Sequence, residues 1–156
     1  MPTHSQWTPH GKCLIALAMC ENGKSFIGAA ILLRQHGRDE YPVLHLICQG
    51  IEVLGKGSLL VANYEKYQPL LRRYGHNLVK LSKAIESEFS VKILDPEILQ
   101  ELEKLNGLYS NHHFRYASGL NVLIDAKSIS SHKVLRRTTA LMRLAARRAF
   151  FRANAI

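Results

Sequence analysis

Tyr41-Pro42-Val43-Leu44-His45-Leu46-Ile47-Cys48-Gln49-Gly50-Ile51-Glu52-Val53-Leu54-Gly55-Lys56-Gly57-Ser58-Leu59-Leu60-Val61-Ala62 is a stretch in which only four side chains, His45, Gln49, Glu52 and Lys56, carry strong polarity. They fall four, three and four residues apart. At 3.6 residues per turn these positions occupy an arc of about 60°, while Val43, Leu44, Ile47, Cys48, Ile51, Val53, Leu54 and Val61 cover most of the remaining circumference. Such a helix must be buried on most sides. Its polar stripe then faces either a thin strip of solvent or a shared groove, where each group needs a partner because unpaired burial is costly.

Outward from this central helix the pattern stays helical. Upstream, residues 1–10 hold Pro2 and Pro9 and little apolar content, so a flexible N-terminus is expected. Helical spacing then runs from Gly11 to Leu33 and weakens at Glu21-Asn22-Gly23, which predicts one kinked helix or two short ones. Pro42 sits where a first turn tolerates proline. Downstream, Asn63 to Arg73 reads as a connection holding a single helical turn. Leu78, Leu81 and Ile85 predict a third helix to about Phe89. Asp95-Pro96-Glu97 is a start signal for a fourth, carried by Leu99, Leu102, Leu105 and Leu108. Phe114 to Ile129 reads as loop. A last helix over 131–153, capped by Ser130 or Ser131, gathers Val134, Leu135, Thr138, Leu141, Met142, Ala145 and Ala149 on one face. The reading is all-α, an antiparallel up-and-down bundle of about five helices in one domain over 11–156.

The chain has 156 residues, enough for one compact domain, and three cysteines inside apolar runs, which fits reduced thiols and a cytoplasmic protein. Leu17-Ala18-Met19-Cys20 approaches a lipoprotein cleavage box, but Met19 stands where a small residue belongs. Glu21, Lys24, Glu52 and Lys56 interrupt the apolar runs, so no membrane span is expected. The net charge of +9 is uneven. Residues 1–125 carry 13 Lys/Arg against 12 Asp/Glu, whereas residues 126–156 carry 8 against none. Basicity is therefore a property of the C-terminal helix, where Arg136, Arg143 and Arg147 lie together opposite the apolar face. A one-signed face of this kind fits an RNA backbone, an acidic partner protein or an anionic surface.

Three segments in order carry a family resemblance: Leu46-Ile47-Cys48-Gln49-Gly50-Ile51-Glu52-Val53-Leu54-Gly55-Lys56, then Tyr74-Gly75-His76-Asn77-Leu78, then Leu105-Asn106-Gly107-Leu108-Tyr109 closed by Arg115-Tyr116. Over roughly residues 24 to 117 the chain resembles the HEPN (higher eukaryotes and prokaryotes nucleotide-binding) family. That family has a central Gln-x-x-Glu-x-x-x-Lys pattern, a His-Asp-Leu helix start and a Leu-Asn...Arg-Tyr ending; Asn77 stands at the usual Asp. The resemblance implies a helical bundle, usually a homodimer. It also implies nucleotide or RNA binding, in some members as an RNase of toxin–antitoxin systems or as the partner of a nucleotidyltransferase.

Chemistry assigns the residues accordingly. Gln49 and Glu52 can hydrogen-bond a base, ribose or neighbouring helix, and Lys56 offers a point charge to phosphate. His76 precedes a helix start whose amides favour anions. Arg115 supplies a bidentate fork and Tyr116 a stacking face. The RNases of the family carry Arg followed after four to six residues by His, late in the domain; here that spacing occurs at Arg38 and His45, at the start of the central helix, as the available catalytic pair. No cofactor is called for, and His112-His113 has no third metal ligand at a recognisable spacing. A non-catalytic interaction module docking through its basic helix is the remaining class.

Overall fold

A computed structural model of the chain describes residues 7–37, 39–114 and 125–153. Five long helices carry the fold: α1 (Pro9–Gln35), α2 (Glu40–Ala62), α3 (Leu78–Phe89), α4 (Pro96–Ser110) and α5 (His132–Ala153), with no strand among the described residues. The class is all-α, a helical bundle. α1 starts at Pro9, inside the stretch 1–10 expected to be flexible, because Thr8 and Pro9 supply a cap and a first-turn proline; the other starts also follow cap chemistry. Thr8 Oγ1 accepts from Gly11 N with Pro9 in the first turn, Asp39 accepts from Tyr41 N, Asn77 from Lys80 N, and Asp95 from Ile98 N ahead of Pro96. Each side-chain oxygen serves an amide that the helix itself leaves without a partner.

α1 is one helix of 27 residues, continuous through Gly23 and not divided into two short ones. Gly23, which weakens the local pattern, is what α2 packs on. A Cβ on Gly23 would lie 2.5 Å from Leu54 N, one on Gly50 2.5 Å from Ile27 Cγ1 and 2.9 Å from Gly23 O, and one on Gly57 2.9 Å from Cys20 N. Residue numbers fall along α2 as they rise along α1, so the two helices run antiparallel with their backbones nearly touching. Ion pairs tie both ends of the hairpin: Arg34 with Glu40 and Lys12 with Glu65. Helix continuity across Gly23 is thus a tertiary effect. The close contact outweighs the ~1 kcal/mol that a mid-helix glycine costs relative to alanine.

α2 is the axis of the molecule. Val43, Leu44, Ile47, Cys48, Leu54 and Leu59 have no exposed surface. They bind two halves of the core, one centred on α1 with Leu81, Ile85 and Phe89, the other on Leu78, Ile98, Leu102, Leu105 and Tyr109. Both α1 and α2 are long and apolar enough to cross a membrane, contrary to the reading that their charges break them up. In α2 the apolar stretch is accounted for by the core, since 72% of its window is buried; in α1 only 28% is.

Two further expectations change. Asn63 to Arg73 is more helical than a single turn: Tyr64–Tyr67, Gln68–Leu70 and Leu71–Tyr74 follow without a break. Burial of Tyr64 and Tyr67 and the Asn63 side-chain cap on Lys66 N hold the segment against the core. On α4 the buried face is Ile98, Leu102, Leu105 and Tyr109, rotated from the expected leucine row; Leu99 and Leu108 are only partly covered. α5 buries Val134, Thr138 and Leu141 as its pattern predicts. Val134 N, the amide a Ser131 cap would serve, donates instead to the buried carboxylate of Glu101 on α4, which also accepts from Ser130 Oγ. Within the expected loop, Ala126–Ser128 forms one 3-10 turn, and residues 115–124 lie outside the described residues.

Candidate functional site

The polar stripe of α2 faces neighbouring helix ends, not a strip of solvent. Glu52, 6% exposed, is its centre. Lys56 Nζ donates to Glu52 Oε1 at 2.6 Å, one helical turn away, and to Gly75 O at 2.8 Å. His76 Nδ1 lies 2.8 Å and the Tyr109 hydroxyl 2.7 Å from Glu52 Oε2. Gln49 Oε1 is placed 2.9 Å from the same hydroxyl. Tyr109 has one proton, and the carboxylate takes it as the stronger acceptor; Gln49 completes the set when its amide is turned so that N–H meets the phenol oxygen.

Three donors on one buried carboxylate decide its ionisation. Burial alone would raise the Glu52 pKa, but the hydrogen bonds from Lys56, His76 and Tyr109, with the Lys56 charge, outweigh it and hold the carboxyl below its ordinary range. An ionised Glu52 accepts only, so His76 Nδ1 is the donor of this hydrogen bond, and no described residue pairs its Nε2. The His76 side chain is 40% exposed. Around it stand the ring of His112, edge-on at 5.4 Å, and that of Tyr109 at 5.7 Å, with His45 packed against Tyr109 at 5.8 Å.

The backbone that delivers these groups is specific. Gly75, at φ +53°, turns the chain so that its carbonyl meets Lys56 and the next residue meets Glu52. His112 takes the left-handed position after α4, at φ +60°, with His112 N bonded to Tyr109 O and His113 N to Leu108 O. That is a Schellman ending in which glycine is the usual residue. A histidine there holds strain beside the cluster.

Among the expected site residues, Gln49, Glu52, Lys56 and His76 are brought together, with His45 alongside through Tyr109. Arg38, Arg115 and Tyr116 lie outside the described residues. Glu52 and Lys56 are oriented inward and engage each other, so the surface open to a ligand is the imidazole rim rather than the stripe itself. The amides at the α3 start are also engaged: Leu78 N donates to Asn106 Oδ1 at 2.7 Å and Lys80 N to Asn77 Oδ1 at 2.8 Å. Tyr109 and His112 complete the site without having been singled out for it. Tyr109 carries the one hydroxyl on the buried row of α4, and that is the signal by which the sequence marks it. Among the described residues no three His, Cys, Asp or Glu side chains are grouped to hold a metal ion.

On α5, Arg136, Arg143 and Arg147 are exposed on one face. No ion pair engages them among the described residues, whereas Arg137 meets Asp95 and Lys133 meets Glu97. Comparison with family models, curated proteins and solved structures yields no match for this chain. The functional reading therefore rests on the site itself.

Proposed function

We propose that this chain is a HEPN-like nucleotide- or RNA-binding protein. The observation that carries the reading is the face of Arg136, Arg143 and Arg147: exposed, of one sign, and unpaired among the described residues. Guanidinium groups left without carboxylates suit phosphate. The His76/His112 rim adds hydrogen-bonding and stacking surfaces of the kind that read unpaired bases.

The test is titration of a labelled single-stranded RNA at several salt concentrations. Binding should weaken with salt. The triple variant Arg136→Ala/Arg143→Ala/Arg147→Ala should lower the slope of log K against log salt by about 2, at roughly 0.7 per phosphate contact. Absence of RNA and nucleotide affinity at low salt would refute the proposal. Such a protein fits a toxin–antitoxin or nucleotidyltransferase-associated pair, and co-purification with an acidic protein in place of RNA affinity would move the α5 face to protein docking.

One observation favours a second reading, a metal-independent RNase. His76 is oriented by Glu52 through Nδ1, its Nε2 meets no partner among the described residues, and a second imidazole lies 5.4 Å away, the arrangement that general acid–base cleavage uses. Cleavage lost in both His76→Ala and His112→Gly but kept in His45→Ala would place the chemistry on this pair instead of on Arg38 and His45.

A further inference from the structure

We propose that the groove between α1 and the segment Tyr64–Tyr74 binds a small monocarboxylate with an apolar body, an acyl acid of medium chain length. None of its residues belongs to the His76 rim or to the α5 arginine face, so the site stands independently of the nucleic-acid reading. The groove has a cause in the chain. Tyr64 and Tyr67 are buried and Leu71 is half-buried, whereas the 3-10 turn Gln68–Leu70 between them buries no residue. Pro69 fixes its own φ in that turn and offers no N–H. Held on both sides of the turn, the segment leaves a space of about 460 Å³ against α1 and the end of α2.

The walls of this space are apolar. Ile15 and Met19 come from α1, Leu60 from the last turn of α2, and Tyr64 and Leu71 from the segment itself. Gln68 and Arg72 are its strongly polar lining residues. A concave space of a few hundred Å³ with apolar walls and few polar groups is the form that small-molecule sites take. Met19, unbranched and deformable, suits a flexible hydrocarbon body.

Charge selects the ligand class. The other charges of the segment are engaged, Glu65 with Lys12 and Lys66 with Glu88, which also accepts from the Tyr67 hydroxyl. Arg72 makes no ion pair and Gln68 no side-chain hydrogen bond among the described residues. A planar guanidinium holds a carboxylate through two parallel N–H···O bonds, and a carboxamide can donate a third. One cation matches one negative charge. A phosphate monoester, carrying about −1.5 to −2 at neutral pH, leaves charge unmatched here and suits the grouped arginines of α5 instead.

Isothermal titration calorimetry of the full chain with sodium decanoate, kept below its micelle concentration, is the experiment, with 1-decanol as the uncharged control. The expected result is one saturable site per chain that binds decanoate at least tenfold more tightly than decanol. Arg72 is exposed, so Arg72→Gln should leave the helical circular dichroism unchanged, weaken decanoate about tenfold or more, and bring acid and alcohol to similar affinity. Ile15→Trp should weaken both ligands by filling the groove. If Ile15→Trp does not fold, the comparison of acid with alcohol in the natural chain and in Arg72→Gln still decides. Absence of saturable binding overturns the proposal. So does decanoate binding that Arg72→Gln leaves unchanged, an alcohol bound as tightly as the acid, or decyl phosphate bound more tightly than decanoate.

Discussion

At the scale of single residues, Glu52 concentrates the consequences. Its carboxyl holds a proton less readily in the folded chain than in the unfolded one, so near its ordinary pKa the unfolded state binds more protons. Its contribution to stability is therefore complete above the ordinary value of 4.5 and is lost as pH falls through the lower folded value. Urea unfolding from pH 6 down to pH 3 should show this loss, and Glu52→Gln should flatten the part of the slope that Glu88 and Asp95, also held low, do not supply. At neutral pH the same substitution should destabilise by about 3 kcal/mol, because it leaves Lys56 half-buried beside a neutral group.

His112 separates shape from chemistry. Glycine at its φ of +60° relieves strain, so His112→Gly should leave stability unchanged or raise it by about 1 kcal/mol. If the ring serves RNA, the same variant loses binding or cleavage. A thermal melt run beside an RNA titration reads both; a large drop in melting temperature would show that the ring is needed for the fold.

At the scale of elements, the α1–α2 hairpin depends on glycines that differ in kind. Gly23→Ala would force a Cβ to 2.5 Å from Leu54 N, where backbone must move, and should cost about 2–3 kcal/mol. Gly107→Ala on α4, where the new Cβ meets nothing within 4 Å, should stabilise by about 0.5–1 kcal/mol through helix propensity. Denaturant midpoints of the two variants check the contrast. Equal effects would mean that the helices separate easily at Gly23.

At the scale of the whole molecule, charge and stability sit in different places. Arg143 and Arg147 are exposed and meet no carboxylate among the described residues, so Arg143→Glu/Arg147→Glu should change unfolding free energy by less than about 0.5 kcal/mol. RNA affinity, if α5 is the contact, should fall sharply in that variant. A matching loss of stability would instead mark the face as structural.

Local physics determined much of this protein. Apolar periodicity and start signals such as Asp95-Pro96 depend on neighbours within a turn or two, so the all-α class and the starts at Leu78 and Pro96 were legible from the chain, whereas the start at Pro9 was not. The stripe at His45, Gln49, Glu52 and Lys56 was legible as geometry, and the Glu52–Lys56 pair as spacing. What the stripe faces was decided only by the tertiary structure. Tyr109 lies 57 residues from Glu52, and nothing in either local sequence encodes their meeting. The same holds for Asn106 capping α3 and Glu101 capping α5 from a neighbouring helix. It holds also for Gly23, where the local pattern weakens because propensity is local, although close packing on α2 carries α1 through it.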